Sequence, residues 1–194
     1  MAIEQKLTIE QIEQRLIDGN ERFINDHLKN EGLTTKRREE TTSGQAPYAI
    51  ILSCADSRII PEATFDAGIG ELFVVRVAGN VADTTSLASI EYAIAHLGSK
   101  VVVVLGHQSC GAVTAATLGG DNGYNLNILL AQITPAIAVS DNLFDINSVV
   151  KKNAELQAVE LINRSQIVRK AVEDGQVRIK PAFYNLDTGK VEYL

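Results

Sequence analysis

Along residues 8–30, TIEQIEQRLIDGNERFINDHLKN, the apolar positions Ile9, Ile12, Leu16, Phe23, Ile24 and Leu28 fall near a 3.6-residue stripe. That spacing predicts an amphipathic helix, with Thr8 or Asp18 as caps. The stretch KRREETTSG at 36–44 reads as a solvated loop or helix end, because two glutamates follow its basic run at once. From Pro47 the pattern changes. YAIILSC (48–54), ELFVVRVAG (71–79) and KVVVVLGH (100–107) are short, nearly continuous apolar runs rich in valine and isoleucine, which predicts buried strands. TTSLASIEYAIAHLG (84–98) has helical spacing and a closing glycine. Strand, helix and strand with such apolar strands implies a parallel sheet covered on both faces. Helical stretches are expected over roughly 112–118, 125–139 and 148–174, and QVRIKPAFYNLDTGKVEYL reads as strand, D-T-G turn and strand.

The expected fold is therefore α/β: a central, mainly parallel β-sheet flanked by helices, with an N-terminal helical arm and a C-terminal strand pair. No repeat or linker interrupts the chain of 194 residues, so 1–194 reads as one domain, with an arm at 1–45 and an α/β core at 46–194. A net charge of −6 argues against nucleic acid or an anionic membrane as the main partner. The opening MAIEQKLTIEQIEQ is too polar for a signal peptide, and no apolar run is long enough to span a bilayer, so a cytoplasmic protein is the expectation.

In that compartment the two cysteines, Cys54 and Cys110, do not need to form a staple; they are inert core thiols, metal ligands or catalytic groups. Their neighbours decide. If 48–54 stays extended, Cys54, Asp56 and Arg58 in SCADSR project to one side as the strand ends. GHQSCG (106–111) ends a second strand at His107, with a helix expected to begin near Gly111. Parallel sheets place ligands at their carboxyl edges, where both segments fall. Two thiolates and an imidazole make a three-ligand zinc set with one open position, the pattern of a catalytic site, and Cys110 gains from a helix N-terminus. His27 reads as a surface residue, and His96 as an interior or interface histidine rather than a ligand.

SCADSR, ELFVVRVAGN, SIEYAIAHLG, GHQSCGAV and AFYNLDTGKV, in that order, resemble a β-class carbonic anhydrase over most of the chain. The resemblance implies zinc (Zn2+) held by Cys54, His107 and Cys110, and reversible hydration of carbon dioxide to bicarbonate by a zinc-bound hydroxide. In this reading Arg58 holds Asp56 ionised, Asp56 orients the hydroxide, and the Gly111 N–H receives a substrate oxygen. Gln45, Phe73 and Tyr92 match a substrate pocket that the family builds partly from the neighbouring subunit, which implies a homodimer or homotetramer. Val77 stands where the family usually has asparagine. One subgroup has an inhibitory bicarbonate pocket with a tryptophan three residues before the first zinc cysteine; that position here is Ile51, and the chain has no tryptophan. The resemblance thus implies the subgroup with an open, water-ligated zinc. Rival readings on the same fold are a hydrolase of carbonyl sulfide or carbon disulfide and a non-catalytic zinc-binding scaffold. Against the scaffold, all three ligands and the Asp–Arg pair are present.

Overall fold

The computed structural model describes residues 7–194; residues 1–6, the start of the expected arm, lie outside the described residues. The first helix, α1 (Ile9–Ile24), starts at Thr8 in a capping box: its side chain accepts from the Gln11 amide while the Gln11 side chain accepts from the Thr8 amide. Ile12 and Leu16 are buried in the core. The helix ends earlier than its apolar stripe suggests. Asn25 caps it, Asp26 adopts φ +56°, and Leu28 lies beyond. In mid-helix, a Cβ on Gly19 would stand 2.0 Å from the Phe65 carbonyl oxygen, so only glycine allows α1 this close approach. A short helix, α2 (Thr35–Glu40), occupies the charged connector with no residue buried.

β1 (Ala49–Ser53) is followed by the one-turn helix α3 (Pro61–Thr64), β2 (Leu72–Arg76), α4 (Thr84–Leu97) and β3 (Val101–His107). Asp83 caps α4 through the Ser86 amide, and Gly98 ends it in the left-handed region. Then come α5 (Gly111–Leu118), α6 (Tyr124–Ala131), α7 (Thr134–Ala138), α8 (Ile146–Arg164), α9 (Gln166–Glu173), β4 (Arg178–Tyr184) and β5 (Val191–Tyr193). The helical stretch expected at 125–139 divides at α7, where Pro135 has no N–H to continue the ladder of α6. The stretch at 148–174 divides at Ser165. Its extended backbone ends α8, and its hydroxyl caps α9 by accepting from the Val168 amide.

The five strands run in the order β2-β1-β3-β4-β5, all neighbours parallel except the β4–β5 pair. Alternate residues of the central strands divide between two cores. Ile51, Val101, Val103 and Leu105 join Ile12 and Leu16 of α1 on one face. Ile50, Leu52, Val102 and Val104 meet Leu87 and Ile90 of α4 and Val168 of α9 on the other. Burial on both faces is the reason these strands read as unbroken apolar runs. The register sets Ser53 beside Arg76 and Leu105, and His107 beside Tyr184, so the polar segments all leave the sheet at its carboxyl edge. No described helix is long and apolar enough to cross a membrane.

Candidate active site

β1 stops at Ser53, one residue before Cys54, so strand alternation is not what brings Cys54, Asp56 and Arg58 together. A turn does it. The Asp56 carboxylate accepts from the Arg58 amide at 2.9 Å, and the Arg58 side chain closes a fork on the same carboxylate, Nε to Oδ1 at 2.9 Å and Nη2 to Oδ2 at 2.7 Å. From the end of β2, Arg76 fastens this turn by donating to the carbonyls of Cys54, at 3.1 Å, and Asp56, at 2.7 Å. Hydrogen bonds from Arg58 hold the Asp56 carboxyl well below the usual carboxylate range.

His107, the last residue of β3, is fully buried. Its Nδ1 lies 2.9 Å from the Gln108 carbonyl oxygen, which can only accept, so the ring proton sits on Nδ1 and Nε2 offers a lone pair. That Nε2 has no hydrogen-bond partner among the described residues; Asp56 Oδ2 stands 3.9 Å from it. The following turn is clamped. Gln108 bonds to Asp187 and to the Leu186 amide, and Ser109, at φ +53°, donates its N–H to Asn147 Oδ1 at 2.9 Å. This delivers Cys110 to the N-cap of α5.

Cys54 Sγ and Cys110 Sγ lie 4.0 Å apart, both thiols free, and with a His107 ring nitrogen they form a set of atoms within 4.8 Å of one another. A hydrogen bond from Cys110 outweighs burial and, aided by the Gly79 amide, lowers the Cys54 pKa. The same contact, with burial, raises that of Cys110. The donor set fits zinc. Tetrahedral bonds of about 2.3 Å put two sulfurs roughly 3.8 Å apart, and a buried imidazole nitrogen without a partner is what a metal ligand looks like before its ion is added.

Gly111 opens α5, so its N–H lies outside the helix's own ladder, and no atom stands within 4 Å of where its Cβ would be. Gln45, Phe73 and Tyr92 are elsewhere. Phe73 pairs with Ile50, at the far end of β1 from Cys54, and Gln45 is exposed in the segment that enters β1. Phe73 and Tyr92 do meet, with ring centroids 6.4 Å apart, and Tyr92 also lies against an exposed His96. Sequence reasoning passed over Arg76, Gln108 and Asn147. Only Arg76 carried a visible signal, a lone cation inside the apolar run FVVRVAG.

A parallel sheet with two thiols and an imidazole gathered on its carboxyl edge makes this an α/β protein with a candidate metal-binding active site. A family model described as carbonic anhydrase matches residues 49–191. Carbonic anhydrase 2 of Mycobacterium tuberculosis is 36% identical over 184 residues, covering 90% of this chain and 87% of that protein. A carbonic anhydrase of Mycolicibacterium smegmatis is 34% identical over 183 residues, covering 91% and 89%. Among solved structures, a β-carbonic anhydrase from Coccomyxa in complex with acetazolamide superposes with a TM-score of 0.73 at 26% identity, over 92% of this chain and 84% of that one. A tetrameric β-carbonic anhydrase from Sordaria macrospora also gives 0.73, at 23% identity over 94% and 93%. The chain belongs to the carbonic anhydrase family, in its β class.

Proposed function

We propose that the protein catalyses the reversible hydration of carbon dioxide to bicarbonate and a proton, with zinc held by Cys54, His107 and Cys110. The observation that carries this reading is the unpartnered His107 Nε2, buried beside two thiols whose separation suits one tetrahedral ion. When bound, zinc supplies a water acidic enough to lose its proton near neutral pH. The protein does the rest. Asp56, kept ionised by Arg58, accepts a hydrogen bond from the attacking group and turns a lone pair toward the carbon. Because both Asp56 oxygens are engaged by Arg58, the carboxylate is held back from the metal position, which favours the open form of the site. The Gly111 N–H, at a helix start, receives the oxygen on which negative charge develops.

The same reading makes the working unit a homo-oligomer in the cytoplasm. Phe73 pairs with Ile50, four residues along β1 from Cys54, while its neighbour Tyr92 is 48% exposed and Gln45 is exposed ahead of β1. Supplied by a second copy, Gln45 donates to bicarbonate while the two aromatic rings keep the site dry for an apolar gas.

Stopped-flow hydration of carbon dioxide with a pH indicator, run beside metal analysis, tests the proposal. We expect about one zinc per chain, matching three converging protein ligands. Activity and metal should both be lost in Cys54→Ser, His107→Ala and Cys110→Ser. Zinc retained in full by all three variants, or a zinc-loaded protein that leaves carbon dioxide unhydrated, overturns the reading.

A further inference from the structure

Two amide side chains one helical turn apart on α8, Asn153 and Gln157, are buried, at 0% and 4% exposure. Each of them makes one hydrogen bond to the loop after β2, and Gln157 also bonds to Asn153 and to the backbone between α6 and α7. Gln157 Oε1 accepts from the Ala82 amide at 2.7 Å, and its Nε2 donates to the Gln132 carbonyl at 3.1 Å and to Asn153 Oδ1 at 3.2 Å. Asn153 Nδ2, oriented by that last contact, donates to the Gly79 carbonyl at 2.9 Å. The N–H of Gly79 in turn points at Cys54 Sγ, 3.3 Å away.

We propose that Asn153 and Gln157 are positioning residues for Cys54, acting through Gly79 to hold one N–H on the sulfur that binds the metal. This rests on the metal reading above. Gly79 adopts φ +70° and ψ 16°, and with those angles fixed, gripping its carbonyl also fixes the direction of its N–H. Any side chain at this position is disfavoured. A Cβ there would stand 2.6 Å from Ile133 Cδ1, on top of the backbone strain. Buried amides are costly unless each partner is supplied, and apolar side chains would fill this part of α8 without that demand. The N–H draws electron density from the thiolate and restrains its direction. A support of this kind around a metal ligand changes metal affinity by about ten- to a hundredfold when removed.

A purely structural prop for the 78–80 turn would not alter the electronics of the sulfur, and this separates the two roles. With Co2+ in place of zinc, the native protein should show thiolate-to-metal charge-transfer absorption. Asn153→Leu removes the donor to Gly79 and with it the hold on the N–H···S bond, so the sulfur orbitals rise and the band moves to longer wavelength. Metal release to a chelator should be about tenfold faster. Gln157→Met leaves Asn153 in place but frees its carbonyl, and should shift both readouts less, with the same sign. In the native sequence loaded with 113Cd, the Gly79 amide proton should show scalar coupling to the metal across the hydrogen bond. A native protein without the charge-transfer band removes the metal assignment, and this inference with it. A native band that stays in place in whichever of the two variants folds, or a Gly79 amide with no coupling to cadmium, overturns the inference alone.

Discussion

Arg58 holds both oxygens of the Asp56 carboxylate, Nε on Oδ1 at 2.9 Å and Nη2 on Oδ2 at 2.7 Å, while Oδ2 stands 3.9 Å from the unpartnered Nε2 of His107. The carboxylate is therefore poised between a guanidinium and the candidate metal position. Its partner decides which it serves.

Arg58→Ala should free Asp56 to turn toward the metal, so activity falls by about a hundredfold or more while zinc is retained. Lysine cannot reproduce the planar fork, and Arg58→Lys should recover only part of the loss. Hydration rates and metal content measured on the same samples check this. An Arg58→Ala enzyme hydrating carbon dioxide at nearly the native rate would sink the assigned roles.

If the pocket is built across two chains, the thiols and Tyr92 that serve one site come from different subunits. Cys54→Ser chains and Tyr92→Ala chains, each poorly active alone, should then complement when co-expressed. Half of the sites in a hybrid dimer combine a sound Cys54 with a sound Tyr92. A mixture no more active than its parents would put Tyr92 in its own chain's site or outside catalysis.

Acid stability should depend on Asp66, which ties Arg22 of α1 to the backbone at Lys29 and Asn30. Burial raises its pKa, but Arg22 and the amides of Lys29 and Asn30 outweigh that and leave it lowered. A lowered folded-state pKa contributes stability above the unfolded value, about 4. That stability is lost as pH falls through the lower folded value. Asp66→Asn should cost about 2 kcal/mol near pH 7. The gap from the native protein should close on acidification, which urea melts at a series of pH values will follow. A gap constant down to pH 2 would be inconsistent with the linkage.

Much of the sheet was legible because Val101–Val104 and Ile50–Leu52 are buried on both faces, and a parallel sheet between helices produces such runs. The candidate metal-binding set was legible for a different reason: thiols and an imidazole are scarce, and both segments holding them follow or end strands. The manner of convergence was not. Strand alternation and an Asx turn both bring residues 56 and 58 together, and nothing local signals that β1 stops at Ser53; Arg76, distant in sequence, fastens the turn. Asn153 and Gln157 in KKNAELQAVE look like the solvated side of a helix. Their burial follows from which face α8 turns to the loop at Gly79, a tertiary fact that periodicity does not carry.

Regulation by the reaction's own product gives the last prediction. In the related subgroup with an inhibitory bicarbonate pocket, a tryptophan three residues before the first zinc cysteine helps hold the anion. Here that position is Ile51, which is wholly buried in the core beneath α1 and offers no side-chain donor. An anion brought against this apolar wall would lose its hydration without compensation, at a cost of several kcal/mol. Asp56 is also already satisfied by Arg58, so a closed state with the carboxylate on the metal would first have to break that fork. Inhibition by bicarbonate should accordingly follow a simple one-site curve, and the pH–rate profile a single ionisation without a steep cooperative fall near pH 8. Steady-state rates across bicarbonate concentrations and pH test this directly. A Hill coefficient well above one for bicarbonate, or a crystal grown near pH 7 with Asp56 bound to zinc, would show that the chain closes by a route that does not need the tryptophan pocket.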